Sequence, residues 1–413
     1  MIARKESNIV HQLVVALVAG LLLLVGLSAN AQTDAAAETA TEDKPIVVWG
    51  GVSLASHAST PEEQRKAMPV IGEMLMCKHT AAGCGGVDVE AAARDALNAV
   101  EFNDFNVKIG NVSVSQQQGY IITPVVTSET VTEAFEGKDF GYSYSYRIFG
   151  NLMILEFLPG EVKYVSAYPF ILKRFDVQPQ RLSKAQQQKV FQDLYLSNSL
   201  GANYFEEMYR AAEERLMLRY KDHNYVQVNE VVLSEEVQGV LKKSHGVDSW
   251  KQQIANFFEA NLAREAESPI LPSALGDRTT EKLQLVFRDA STQLTVPPAG
   301  YSIGIDVRRF IRHEAKGGKV VCFMVGAIFT VTDPYGDQIG ELKFARRQDS
   351  CGVTMPGAVR SNTMYFPESM YSLLLQVAKQ FDGTVDDKFI QRNVQKPAGV
   401  KNQIQKLRKT MFN

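Results

Sequence analysis

The sequence predicts an α+β fold: two mixed units of antiparallel meander plus helices, joined by a mainly helical middle segment. Three observations predict it. Apolar residues recur with period two from Phe105 to Phe175, the alternation of half-buried strands, and further strands are read at Tyr301–Phe310 and in a hairpin over residues 319–350. Between these stretches, from Leu200 to about Glu267, the apolar spacing becomes that of helices. The chain has 413 residues, more than one core comfortably organises.

The first 31 residues predict an export segment. Arg4 and Lys5 give a basic start, Leu13–Leu27 is unbrokenly apolar, and Ala29 and Ala31 supply the small-x-small pattern before Gln32 that signal peptidase accepts. A helix of that apolar length covers about 22 Å, short of the roughly 30 Å hydrocarbon core, so a cleaved signal is favoured over an anchor. The expected mature protein therefore starts near Ala31-Gln32, periplasmic or extracellular. Residues 32–44 are polar and alanine-rich with no apolar face, a flexible leader by composition.

The first unit is expected over residues 45–198. Ile46–Trp49 reads as a buried strand. Thr60-Pro61-Glu62-Glu63 opens a helix running to about Met76, with a capping threonine, proline in the first turn and acids at the positive end. Val89–Val100 is a second helix. The meander follows, turning at Glu136-Gly137-Lys138-Asp139 and at Pro159-Gly160. Ser183-Lys184-Ala185-Gln186 fits a capping box before Val190, Phe191 and Leu194. The connector, residues 199–267, carries helical stripes at Tyr204–Leu216 and Trp250–Leu262, with Tyr225–Leu233 a strand between them.

The second unit, residues 268–396, supplies Leu283–Phe287, Tyr301–Phe310 and a hairpin of Lys319–Val331 with Ile339–Ser350. Pro367-Glu368 then opens a helix through Phe381. Both halves run helix, strands, long hairpin, helix, an order that suggests related units without any residue-level repeat. The last segment, residues 397–413, sets Val400, Ile404, Leu407 and Met411 three or four apart among lysines and arginines, with no acid after Asp387. That basic amphipathic helix can pack on its own domain, dock on a partner or lie on an anionic membrane surface.

Four cysteines survive export: Cys77, Cys84, Cys322 and Cys351. Outside the cytoplasm an even count favours disulfides, here Cys77–Cys84 across a glycine-bearing turn and Cys322–Cys351 across the hairpin. A two-residue turn at Gly336-Asp337 without bulges places Cys322 opposite Cys351, at about 4.5 Å between Cα atoms. Cys77-Lys78-His79 with Cys84 is also a local metal candidate, yet the usual two-residue spacer is missing and oxidised thiols are favoured.

Without Arg4, Lys5 and Glu6, 42 basic and 45 acidic residues remain, a balance that does not suggest non-specific nucleic-acid binding. The chain holds no Gly-x-Ser-x-Gly, phosphate-binding loop, His-Glu-x-x-His, Ser-x-x-Lys or Cys-x-x-Cys. The remaining histidines, His57, His79, His223, His245 and His313, are scattered. Asp306, Arg308, Arg309 and His313 cluster in sequence, but an exposed strand explains them equally well. No catalytic, cofactor-binding or metal-ligating residue is assigned. Tyr142, Tyr144 and Tyr146 share one strand face about 7 Å apart, and together with Val400, Ile404, Leu407 and Met411 they form the expected partner surface. The expected function is a non-catalytic envelope protein acting as an interaction or assembly scaffold, with an envelope protein as partner and peripheral membrane contact open to the tail. The alternative is an exported hydrolase of wall glycan or peptide, whose acids and histidines would converge from separate segments.

Overall fold

The computed structural model describes residues 44–55, 60–76, 88–109, 119–158, 161–196, 201–218, 225–268, 270–273, 282–315, 320–346, 351–353 and 357–412. The export segment, most of the leader and the Cys77–Cys84 pair lie outside the described residues. About 36% of the described chain is helix and 39% strand, arranged on two mixed sheets, so the α+β expectation holds.

The first sheet grows from the long meander. β1 (Ile46–Trp49) lies parallel to β3 (Asn106–Lys108) and to β4 (Gly119–Gly137). β4, β5 (Gly141–Leu158) and β6 (Glu161–Gln178) then run antiparallel. β5 is the middle strand, and period two divides its side chains cleanly. Tyr144, Tyr146, Ile148, Leu152 and Ile154 enter one apolar cluster, whereas Phe149, Met153, Leu155 and Phe157 enter others on the opposite face. Gly141, at φ +73°, opens β5 where a side chain would strike the Gln178 carbonyl.

Two strands that the sequence places in the second unit belong to this first sheet. β9 (Lys282–Val286) and β10 (Ser291–Thr295) pair antiparallel, and β10 lies parallel to β6 at Val162 and Lys163. β2 (Ser53–Leu54) pairs with both β9 and β4. The six strands β2-β9-β10-β6-β5-β4 thereby close on themselves. Closure leaves no free edge over the paired stretches and encloses Val125, Met153, Leu155, Leu283, Leu285 and Leu294.

Among the described residues five helices serve the first sheet. The expected helix from Thr60 to Met76 is two: α1 (Pro61–Ala67), with the capping box at Thr60 and Glu63, and α2 (Pro69–Met76). Pro69 is the cause, because it donates no N–H and disfavours helical geometry at the residue before it. α2 carries no N-cap of its own. Glu129 of β4 supplies one from across the core, accepting from the amides of Val70 at 3.0 Å and Ile71 at 2.8 Å and from the Tyr195 hydroxyl at 3.0 Å. α3 (Val89–Leu97), α4 (Lys184–Leu196) and α5 (Tyr204–Ala212) complete the layer.

The second sheet runs β13-β12-β11-β7-β8. The strand anticipated within the connector is there: β7 (Val226–Leu233) lies parallel to β11 (Tyr301–Ala315) and to β8 (Ile270–Leu271). β12 (Val320–Thr332) and β13 (Gln338–Arg346) form the hairpin. α6 (Glu235–Leu241), α7 (Val247–Ala266), α8 (Asn362–Lys379), α9 (Asp387–Asn393) and α10 (Val400–Phe412) contribute to the apolar cluster on this sheet. α8 starts five residues before the expected Pro367, after Ser361.

The Cys322–Cys351 disulfide is present, with Cα atoms 3.9 Å apart. The hairpin register that predicted it differs. The connection is Asp333–Asp337, tied by Asp333 Oδ1 accepting from the Tyr335 and Asp337 amides, both at 2.9 Å. A bulge follows, so Val331 faces Gly340 rather than Leu342, and Val325 faces Arg346. The cysteines oppose each other only because the chain from Arg346 to Cys351 takes up two residues more than β12 before pairing again as β14 (Cys351–Val353).

Candidate functional site

The far end of the β4–β5–β6 meander holds the sequence's best binding candidates, and its two faces have different fates. On the even-numbered face of β5, Tyr144 and Tyr146 are fully buried. α4 brings Phe191 edge-on to Tyr146 at 5.3 Å, and the Tyr144 hydroxyl accepts from the Leu182 amide at 2.7 Å. These two tyrosines are therefore core, not partner surface: the stripe Val190, Phe191 and Leu194 covers the row that strand periodicity alone left open. Tyr142 remains half-buried, its ring 5.2 Å from that of Phe135.

The odd-numbered face carries Ser143, Ser145 and Arg147. Arg147 has no exposed surface, yet it bears a permanent charge. Its guanidinium pairs with Glu368 of α8, lies 4.6 Å over the Tyr371 ring and is 3.5 Å from Thr132 Oγ1. The Glu368 carboxylate also pairs with Lys173 of β6 and accepts from Ser145 at 3.3 Å. Beside it Gln253 of α7 accepts from Thr130 at 3.3 Å and from the Tyr371 hydroxyl at 3.2 Å. His245 packs edge-on to Trp250 at 5.6 Å. Burial, then the Arg147 charge, lowers its pKa, so the ring is held neutral.

This polar seam continues along α7. Asn256 donates to Thr127 at 3.3 Å. Glu259 accepts from the Ser273 amide at 2.8 Å, the Ser273 hydroxyl at 3.1 Å and the Val228 amide at 3.3 Å. Burial pushes its pKa up to about 8. Such a shift marks catalytic acids in open clefts. Here, however, the carboxyl is 1% exposed and caps backbone amides, the work of a structural tie between β7, α7 and the start of the 273 turn.

Sequence reasoning missed Arg147, Glu368, Gln253 and Glu259. The available signal was Arg147 interrupting a strand otherwise read as buried; its partner lies 221 residues away, beyond any local pattern.

The other candidates resolve as follows. The C-terminal stripe packs inward: Ile404, Leu407 and Met411 are buried and Val400 is partly so. Leu407 fills the space beside Gly340, where a Cβ would come within 2.7 Å of it. Gln403 donates to the Glu341 carbonyl at 3.2 Å and Lys401 pairs with Asp387 at 2.7 Å. The stripe is thus not available to a partner or a membrane. Asp306 and Arg308 pair at 2.7 Å beside the β11 bulge, and His313 is exposed further along the strand. Among the described residues no group of three His, Cys, Asp or Glu side chains could hold a metal, and no helix is long and apolar enough to cross a membrane. His57, His79 and His223 lie outside the described residues. A shallow depression of about 520 Å³ opens at the start of α4. Its Glu133 is already held by Arg181 at 2.7 Å and by Gln187 at 3.3 Å.

What stays accessible is the last stretch of β6. β10 pairs with β6 only at Val162 and Lys163. Further along, Tyr225 donates to the Val165 carbonyl and Ser166 to the Met217 carbonyl. From Lys173 onward no strand among the described residues pairs with this edge. Phe175 is 52% exposed and Val177 53%, and they stand opposite Ser145 and Ser143 on one face. No known protein family matches this chain, and no characterised protein is similar to it.

Proposed function

We propose that the chain is an exported, non-catalytic envelope protein that acts as an interaction or assembly scaffold, and that the β4–β5–β6 end is its contact surface. The observation that carries this is the open edge of β6. Exposed strand edges ordinarily carry blunting charges or prolines, because unpaired backbone groups recruit other strands. This edge carries Lys173, Arg174 and Asp176 and ends at Pro179, yet Phe175 and Val177 stand exposed between those charges, with Phe135 and half-buried Tyr142 on the other face. The disulfide between Cys322 and Cys351 is compatible with an oxidising compartment. Three acids fit the same reading: Glu129 and Glu259 are engaged by backbone amides and Glu368 by two cations.

The test has two parts. N-terminal sequencing of the protein recovered from the envelope fraction should start near Gln32; full-length protein in the cytoplasm would overturn export. Photo-crosslinkers placed at Phe175 and Val177 should capture a reproducible envelope component, while one at buried Leu407 should not. Equal capture at both positions, or none at either, would overturn the contact surface.

A further inference from the structure

We infer that the open edge of β6 pairs antiparallel with the same edge of a second copy of this chain, giving a two-fold dimer through continuous sheet. The inference rests on the interaction reading above and deepens it by naming the occupant. The residues on the edge are Leu172, Lys173, Arg174, Phe175, Asp176, Val177 and Gln178. A two-fold interface must be self-complementary, and this segment is so in one register. With the axis at Phe175, Arg174 of each copy meets Asp176 of the other, twice. Phe175 meets Phe175, and Lys173 meets Val177. Directly opposed residues of antiparallel strands share a face, so the two ion pairs lie on one side and the Phe175 pair on the other. Shifting the axis to Arg174 or to Asp176 opposes like charges, which disfavours both neighbouring same-face registers.

The isolated edge is capped in a way that pairing would release. The Val177 amide is taken by the Asp176 carboxylate at 2.9 Å, whose other oxygen accepts from Gln178 at 2.8 Å. In the dimer the Val177 amide turns to the opposing strand, and the Asp176 carboxylate meets the second copy's Arg174. Pro179 ends the segment and limits the paired length, since proline cannot donate to a ladder.

The experiment is sedimentation velocity of the mature protein over a wide concentration range. The natural protein should show a reversible monomer–dimer equilibrium. Arg174→Asp alone and Asp176→Arg alone should each weaken it by at least about tenfold, because each opposes like charges twice. The decisive measurement mixes the two monomeric single variants. Positions 174 and 176 are then both acidic in one variant and both basic in the other, so a heterodimer should form, and that recovery also shows both variants folded. A natural protein that stays monomeric, or a dimer indifferent to both reversals, or single variants that fail to associate when mixed although each is folded by circular dichroism, would overturn self-pairing. A monomer that still crosslinks an envelope component through Phe175 would sink the dimer and keep the contact surface. Loss of both signals would sink the two together.

Discussion

Replacing Glu368 with glutamine should destabilise the protein more than replacing Arg147 with methionine, although the two residues form one ion pair. The asymmetry comes from what each leaves behind. Arg147 has no exposed side-chain surface and its one carboxylate partner among the described residues is Glu368, whereas Glu368 is 25% exposed and also holds Lys173 and Ser145. Glu368→Gln therefore strands a charge away from water, a change that costs about 3 kcal/mol or more. Arg147→Met leaves a carboxylate still paired and partly solvated. It loses the stacking on Tyr371 and regains apolar burial, for a net cost of about 1 kcal/mol. With Arg147 already methionine, Glu368→Gln should add little, giving a coupling of about 3 kcal/mol in the double-mutant cycle. Urea unfolding of the four proteins measures this, provided the slopes agree. A Glu368→Gln variant no less stable than Arg147→Met would refute the argument that burial, not charge pairing alone, sets the cost.

Three further outcomes follow from the same geometry. Burial raises the Glu259 carboxyl from 4.5 to about 8, so its contribution to stability is complete below about 4.5 and lost as pH rises through 8. That loss is on the order of 5 kcal/mol, and urea midpoints of Glu259→Gln should lack that slope. His245 has the opposite sign: its pKa is lowered from 6.5, so the unfolded chain takes up the proton first and stability is lost as pH falls below 6.5. His245→Phe should flatten that acid limb in the same titration. The Cys322–Cys351 bond spans 29 residues, and Cys322→Ala with Cys351→Ala should cost roughly 3.5 kcal/mol by the loop-entropy relation, read as a lower urea midpoint.

Much of the fold was legible because its signals are local. Alternation in β5 separates Tyr146 from Arg147 onto opposite faces, and the stripe of α10 marks the residues that become buried. Coverage was not legible. Nothing within the tyrosine row says that α4 will lie on it, and nothing within the C-terminal stripe says that Gly340 leaves room for Leu407. Topology failed for the same reason. The strands at 282–286 and 291–295 carry no mark of returning to the first sheet, because closure depends on β2 pairing with both β9 and β4. The disulfide shows the converse, a correct pair reached through a register that is offset by two residues near the turn. An even offset keeps every side chain on its expected face, so the error left the burial pattern intact.

The seam and the open edge are parts of one construction. β6 runs under the last polar contact at Lys173, where Glu368 draws Arg147, Ser145 and Lys173 together. The next same-face positions are Phe175 and Val177, opposite Ser145 and Ser143. Both serines are buried although the two apolar residues opposite them are more than half exposed. The sheet face is therefore sealed up to its outermost strand and open only there. An incompletely packed core would expose β5 as well. On this face the exposure is confined, among the described residues, to β6, where apolar residues alternate with opposite charges, and this pattern supports the proposed strand pairing.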